Sequence, residues 1–489
     1  MTDGALSSHD RLYIGGEWVV PAGDDRIPVI SPVSEEVIAS VPAGTRADID
    51  RAVTAAHEAL VANPWASTTL EDRIALVERL RDLLVKHSEE LAQVITEEMG
   101  CPISQSRAIQ VVNPVRILEG YVEAATRYPF RSVRRSEHGQ ALVLREPVGV
   151  VAAVVPWNVP LSLTIQKLVP ALLTGCTIVL KPSPETPLDA YVVARLLDEA
   201  GCPPGVVNIV PADRDVSEYL IGHPGVAKVT FTGSSAAGRR IAEVCGKDLR
   251  RVTLELGGKS AAVVLPDADL DLTVEALRLG SFRNNGQICT LKTRLVVPAE
   301  LQDEFVDRLG DLLDSMVVGD PRDAATHIGP LVSERQRTRV EGYIATGLAE
   351  GGRLAHGGGR PDIDRGWFVE PTVFADVDPN ATIAQQEIFG PVVAVIPYAN
   401  EDEAITIANN STYGLNGAVF TTDVERGVEV ARRLETGTVE LNGNSAGFQA
   451  PMGGVKYSGL GREFGPEGLD PFVELKSIGI PPAIADALA

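Results

Sequence analysis

The sequence predicts a doubly wound α/β fold: open, mostly parallel sheets with helices on both faces. Between residues 147 and 265, short β-branched runs alternate with helical ones, and a second alternating series follows from about 258 to 457. The runs are continuously apolar rather than alternating in and out, as strands covered on both faces must be. Together these point to two α/β units with a cleft at their junction.

The elements, in order, bear this pattern. "TLEDRIALVERLRDLLVKHSEELAQVITEEMG" holds two amphipathic helices: Ile74, Val77, Leu80 and Leu84 recur at three- and four-residue steps, with a break near His87. Gly100 followed by Pro102 supplies the stop. "YPFRSVRRSEHGQALVLREPV" reads as a two-stranded hairpin around His138 and Gly139. An isolated hairpin is marginal in water, so pairing with a neighbouring subunit is its expected use.

Strands follow at "VGVVAAVV" (148–155), "CTIVL" (176–180), "GVVNIV" (205–210), "AKVTF" (227–231) and "RVTLEL" (251–256). The spacers "LTIQKLVPALLTG" and "TPLDAYVVARLLDEAG" are helical. In the second, Thr186 is expected to cap, with Pro187 at the first helical position, Asp189 three residues on from the cap, and Gly201 closing the end. In the later series "ELQDEFVDRLGDLLDSM" reads as helix, and "KTRLVVP" and "GPVVAVIPY" as strands.

Composition narrows the function classes. A chain of 489 residues, 44% hydrophobic and 22% charged, is a folded globular protein of several domains rather than a disordered or fibrous one. A net charge of −22 repels phosphate backbones and anionic lipid, so neither nucleic acid nor membrane is an expected partner. The N-terminus lacks a basic segment followed by an apolar run, and no stretch is apolar enough to span a bilayer, so the expected location is the cytoplasm. Five cysteines with no CxxC pair argue against a disulfide framework, and scattered histidines with no HExxH add nothing for a metal.

Several short stretches carry possible chemistry, each beside a bland reading. "VTFTGSSAAGRRIAEVC" is strand, glycine turn, helix. Gly233 and Gly238 allow backbone to approach a phosphate that the helix start would hold, though a plain tight turn has the same spacing. "VVPWNVP" leaves a buried strand, and Asn158 there is either a turn-former or an amide donor to an oxyanion. Lys167, in an otherwise apolar helix, either snorkels to the surface or pairs with a carboxylate. Glu255 ends a Val/Leu strand before Gly257 and Gly258. It is a general base raised toward neutrality by apolar surroundings, or a structural partner of Lys259. Cys289 follows "NNGQ", unlike Cys176 in a strand and Cys245 in a helix. By composition alone it is one more small core residue, and as a nucleophile it needs nearby donors or a base.

Taken together, "PWNVP", "KPSPETP", "FTGSSAAG", "LELGGKS", "GQICTLKTR", "QEIFGPV" and "PMGGVKYSGLGREFG" resemble, in order and rough spacing, the NAD(P)-dependent aldehyde dehydrogenase superfamily over nearly the whole chain. The resemblance implies that Cys289 attacks the aldehyde carbon while Asn158 and the Cys289 N–H hold the oxyanion. Hydride loss then leaves a thioester, and Glu255 activates the water that releases the acid. Lys167 and Glu463 match the family's proton relay. Glu255 disfavours the CoA-acylating members; a thiol esterase using the same Cys and Glu, and a non-catalytic relative, are the competing functions.

For the cofactor, the resemblance assigns Gly233, Ser234 and Gly238 to the phosphate side and Lys181 to the adenosine ribose. Glu387 and Phe389 fall at the nicotinamide ribose, with Trp157, Ser183 and Leu256 also at the cofactor. The cofactor expected is NAD, with NADP not excluded, because Pro184 stands where many NAD-preferring members have a ribose-binding Glu, the acid being displaced to Glu185. Val159, Leu163, Ile288, Thr290, Phe448 and Met452 are expected to line the aldehyde tunnel. They are mainly apolar with no charged clamp, implying aliphatic or aromatic aldehydes. The implied domains are a Rossmann-like cofactor domain (1–127 and 147–257, with 458–470), a catalytic domain (258–457) and a β bridging arm (128–146 and 471–489). The implied assembly is a homodimer or homotetramer.

Overall fold

The computed structural model describes residues 6–62 and 64–488. Its largest sheet has eight strands. From edge to edge they are Gly459–Leu460, Arg251–Glu255, Lys228–Thr232, Val150–Val154, Thr177–Lys181, Val207–Ile209, Leu12–Ile14 and Glu17–Val19. The five strands from Arg251–Glu255 to Val207–Ile209 are parallel. Val150–Val154, Thr177–Lys181 and Lys228–Thr232 are buried at every position, as strands covered on both faces must be; of the polar residues they carry, Lys228 donates from Nζ to Thr253 Oγ1 at 2.6 Å.

Val150–Val154 comes first of these five and sits in their middle. The chain steps outward through Thr177–Lys181 and Val207–Ile209, then returns to lay Lys228–Thr232 on the other side. The strand order therefore reverses between Val150–Val154 and Lys228–Thr232. In open α/β sheets the crevice for a ligand lies at that reversal, outside the carboxyl ends of the strands.

A second sheet has seven strands: Arg353–His356, Thr372–Ala375, Val392–Tyr398, Lys292–Pro298, Ser260–Val264, Asn416–Phe420 and Thr438–Leu441. All but the first run parallel. The chain passes from Arg251–Glu255 in the first sheet, through Gly257 and Gly258, directly into Ser260–Val264 in the second. The carboxyl edge of one sheet thus faces the amino edge of the other. The two glycines matter because of close approach: a Cβ on Gly258 would sit 2.5 Å from the carbonyl oxygen of Cys289, and one on Gly257 would meet the Glu387 carboxylate.

A third sheet of three antiparallel strands joins Arg131–Ser136, Gly139–Pro147 and Val473–Gly479, so the hairpin forms and the C-terminal strand extends it. Helices Leu70–Lys86 and Ser88–Met99 break at His87, and Gly100 ends the second in a left-handed turn. Helix Pro160–Thr174 is buried along its whole length, as its mainly apolar sequence favours, and it takes Gln166 and Lys167 into the interior with it.

One expected cap is wrong. The Leu188–Glu199 helix starts at Pro187 without a side-chain cap from Thr186, whose hydroxyl has no partner. Glu98, from the end of the Ser88–Met99 helix, instead accepts the N–H groups of Leu188 (3.0 Å) and Asp189 (3.3 Å). Gly201 does close that helix, with positive φ.

All five cysteines are free. Among the described residues no cluster of ligating side chains is arranged to hold a metal, and no helix is long and apolar enough to cross a membrane. Residues 1–5, on which part of the N-terminal reading rests, lie outside the described residues.

Candidate active site

A cavity of about 600 Å³ opens between the two facing sheet edges. On the first sheet's side, Pro156–Val159 leave the Val150–Val154 strand, and Thr232–Ser234 leave Lys228–Thr232, the two strands flanking the reversal. On the second sheet's side, Ile288, Cys289 and Thr290 precede the Lys292–Pro298 strand, and Glu387 and Phe389 precede Val392–Tyr398.

Cys289 lines this cavity, whereas the other four cysteines are buried elsewhere. Burial, together with the nearby Glu387 and Glu255, pushes its thiol up to about 12, while the Arg283 guanidinium pulls the other way. The loop that presents the sulfur is built from amides. Asn284 and Asn285 both take left-handed backbone angles, which short amide side chains tolerate best among non-glycine residues. Asn285 Nδ2 donates to Gly100 O (2.9 Å) and Pro330 O (2.8 Å), while its Oδ1 accepts from Gly329 N (2.7 Å). Gln287 Oε1 accepts from Val332 N at 3.1 Å.

Asn158 stands on the same cavity, 5% exposed, with Nδ2 donating to Gln287 O at 3.0 Å. An amide nitrogen has two N–H groups, so one is left for a ligand. Val159, Leu163, Ile288, Thr290, Phe448 and Met452 all line the cavity, as do Trp157, Gly233, Ser234, Leu256, Glu387 and Phe389.

Six predicted residues are not part of this wall. Glu255 is 3% exposed, and its carboxylate lies against Gly453, where a Cβ would be 2.7 Å from Oε1. Neither of its oxygens has a hydrogen-bond partner, and the Lys259 amine has none either, so those two do not pair. Burial and then the Glu463 charge hold the Glu255 carboxyl well above the usual carboxylate range. Lys167 does not snorkel: it is fully buried, and its Nζ bonds Glu463 Oε1 at 2.8 Å and Thr232 Oγ1 at 2.7 Å. Lys181, at the carboxyl end of its strand, and Ser183 lie beyond the cavity. Burial draws the Lys181 amine down to about 8. Gly238 packs the Ser235–Lys247 helix onto Leu256, since a Cβ there would be 2.5 Å from the leucine.

Sequence reasoning missed a further set. Arg283 and Lys292 line the cavity, Arg283 bonding Thr290 Oγ1 at 3.2 Å and Lys292 pairing with Glu440. The tunnel is therefore not free of charge, as its six predicted residues alone implied. Gln336 and Arg339, on the Glu334–Ala349 helix, donate to Phe389 O (2.7 Å) and Glu387 O (2.6 Å) and so hold that loop against the cavity. Phe389 is itself in a left-handed conformation, with its ring edge-on to Trp157 at 5.4 Å. The "NNGQ" run was the one visible signal for the Asn284–Gln287 scaffold.

Two α/β units meet over a cavity, and Cys289 is the one cysteine among the described residues in its wall. The chain belongs to the aldehyde dehydrogenase family, whose model matches residues 18–478, and is an oxidoreductase that takes an aldehyde to the acid. It is 47% identical over 471 residues to geranial dehydrogenase of Castellaniella defragrans, covering 96% of this chain and 98% of that one. An aldehyde dehydrogenase of Mycobacterium tuberculosis solved with NAD+ superposes with a TM-score of 0.96 at 44% identity, covering 97% of this chain and 99% of that one. Aldehyde dehydrogenase C of Pseudomonas syringae, solved as a mutant with NAD+ and octanal, gives a TM-score of 0.94 at 40% identity, with 98% of each chain covered.

Proposed function

We propose that the chain oxidises apolar aliphatic or aromatic aldehydes, using NAD+, through a covalent intermediate on Cys289. The observation that carries this is the convergence of the Cys289 thiol and the Asn158 amide on one mainly apolar cavity, with Glu255 buried beside it. The similarity to a geranial dehydrogenase and to an enzyme solved with octanal supports the apolar substrate class.

The residues present suit the dinucleotide. Thr232–Ser234 open a helix start onto the cavity, and Glu387 and Phe389 are held against it by Gln336 and Arg339. When bound, NAD+ supplies the hydride acceptor. Cys289 gives up its thiol proton to solvent and attacks the aldehyde carbon to give a thiohemiacetal whose oxyanion Asn158 holds; loss of the carbon-bound hydrogen as hydride then leaves the thioester on Cys289. Glu255 takes a proton from the water that cleaves this thioester; Lys167 and Glu463, hydrogen-bonded in the interior, pass it on. The displaced Glu185 accepts from Ser183 Oγ and Arg335, and Pro184 puts no carboxylate where it would repel a 2′-phosphate, so NAD+ is the cofactor and NADP+ the alternative to test.

The domain division given above applies to this enzyme, with a cytoplasmic location. The three-stranded sheet, which exposes Leu475 and Ile478, joins subunits into a dimer or tetramer. Light scattering on the purified enzyme tests that last statement, and a monomer at micromolar concentration overturns it.

Reduced-nicotinamide absorbance across an aldehyde panel, run with NAD+ and NADP+ in parallel, tests the rest. Octanal and benzaldehyde should turn over and Cys289→Ala should abolish the signal without unfolding. Ester cleavage with no nicotinamide reduction would show a thiol hydrolase instead, and succinate semialdehyde turning over as well as benzaldehyde would remove the apolar substrate class.

A further inference from the structure

The cavity contains a polar device that the reaction described above does not use. Gln110 is 2% exposed and lies in a five-residue π-helical turn, Ser106–Gln110, closed by a bond from Val111 N to Ser106 O at 3.1 Å. An i→i+5 turn places residues five apart on one face, and such turns recur at functional sites. Here that face carries Gln105 and Gln110 to the loop before Cys289. Gln105 Oε1 accepts from Asn284 N at 2.7 Å, and Gln110 Nε2 donates to Asn284 Oδ1 at 3.2 Å and to Asn158 O at 3.3 Å. Asn284 Nδ2 donates to the same Asn158 oxygen at 2.9 Å. Asn158 Nδ2 closes the ring on Gln287 O.

Both ends of Asn158 are thus fixed: its carbonyl by two side-chain amides, and one side-chain N–H by the chain two residues before Cys289. Among the described residues, the one partner of the Gln110 side chain outside this ring is the Cys101 sulfur, at 3.8 Å, and its amide oxygen has none. A buried amide oxygen without a partner costs stability. A leucine or methionine would fill the space without that cost, so packing does not account for a glutamine here.

We propose that Gln110 is a positioning residue that, with Asn284, sets the distance and angle between the Asn158 amide and Cys289. This rests on the reading of Asn158 as the oxyanion donor. The clamp joins three separate parts of the chain, so the donor and the nucleophile move as one unit. Its effect falls on the step that forms the tetrahedral adduct and leaves cofactor affinity alone.

The test is a double-mutant cycle on the full-length enzyme, read by the rate of the first-turnover burst with octanal and by cofactor-free cleavage of p-nitrophenyl acetate. Asn158→Ala should lose about 100- to 1000-fold in both. Gln110→Met should lose about 10- to 100-fold in both, with the KM for NAD+ unchanged and the melting temperature close to that of the wild type. In the Asn158→Ala background Gln110→Met should cost no more than about 2-fold, because its effect passes through Asn158. Asn284→Ser, which keeps a short side chain and removes the amide N–H that reaches Asn158 O and Gln287 O without adding a charge, should repeat the pattern if Gln110→Met folds poorly.

Equal losses from Gln110→Met in both backgrounds would make it a structural residue and overturn the clamp. A silent Gln110→Met beside a damaged Asn158→Ala would overturn the clamp while sparing the oxyanion reading. A silent Asn158→Ala would overturn that reading, and the clamp with it.

Discussion

Two pairs of carboxyl groups are buried in this molecule, and they are compensated differently. Glu255 and Glu463 lie where the two large sheets meet, with the Lys167 ammonium bonded to Glu463. Glu98 and Asp189 lie at the start of the Leu188–Glu199 helix, where backbone N–H groups of Leu188 and Asp189 point at Glu98. Among the described residues no basic side chain pairs with either member of the second pair. Burial raises Glu255, Glu98 and Asp189 alike. A shifted titration therefore does not mark a working group by itself. What separates the pairs is that one lies by the cavity that holds Cys289, with Lys167 bonded to Glu463, and the other stands at a helix start inside the core.

The sharpest break between them is kinetic. Glu255→Gln should lower steady-state turnover by about 100- to 10,000-fold while sparing the first-turnover burst, whereas Glu98→Gln should stay within about 2-fold of wild type. Loss of the burst itself in Glu255→Gln would show that this carboxyl acts before deacylation. The turnover of the wild type should also rise with pH through the raised value of Glu255, since only the ionised carboxylate accepts a proton.

Removing the lysine tests its share. Lys167→Met leaves Glu463 buried with no counterion, which should cost about 3–5 kcal/mol by denaturant titration. Lys167 also draws the Glu255 carboxyl downward, so its loss should move the rising limb of the pH–turnover profile to higher pH. An unmoved profile would separate the lysine from the base.

The smallest effect belongs to the second pair. Asp189 titrates at about 7 in the folded chain, above its ordinary 3.8, so the native state binds that proton more tightly than the unfolded one. Its stabilising contribution is complete below the unfolded value and is lost as pH rises toward 7, with no further change above. Asp189→Asn should reduce this slope, leaving the part due to the likewise raised Glu98, and gain on wild type by on the order of 2 °C in melting temperature at pH 8 compared with pH 4. Turnover should not follow it.

How far all this can be read from residue order varies from part to part. The five parallel strands and the break at His87 are legible because apolar runs and turn residues act on their immediate neighbours. The Thr186 cap was misread because the real acceptor, Glu98, is 90 residues upstream and only the fold delivers it. Lys167 was open between snorkelling and pairing until the 160–174 helix was seen to be buried on every side. Arg283, Gln336 and Arg339 carry no local mark at all, since their meaning lies in which wall they reach.

The sequence by itself determined the doubly wound α/β class and the family likeness, because these follow from hydrophobic period, turn chemistry and the order of short motifs. Tertiary structure alone decided that Asn158 and Cys289 share a cavity, that Glu255 faces Glu463 rather than the tunnel, and that Gln110 reaches both Asn158 and Asn284. The physical reason is distance along the chain: in these contacts Gln110 lies 48 positions from Asn158 and 174 from Asn284, and Asn158 lies 129 from Gln287. They exist only once the carboxyl edge of one sheet has been set against the amino edge of the other.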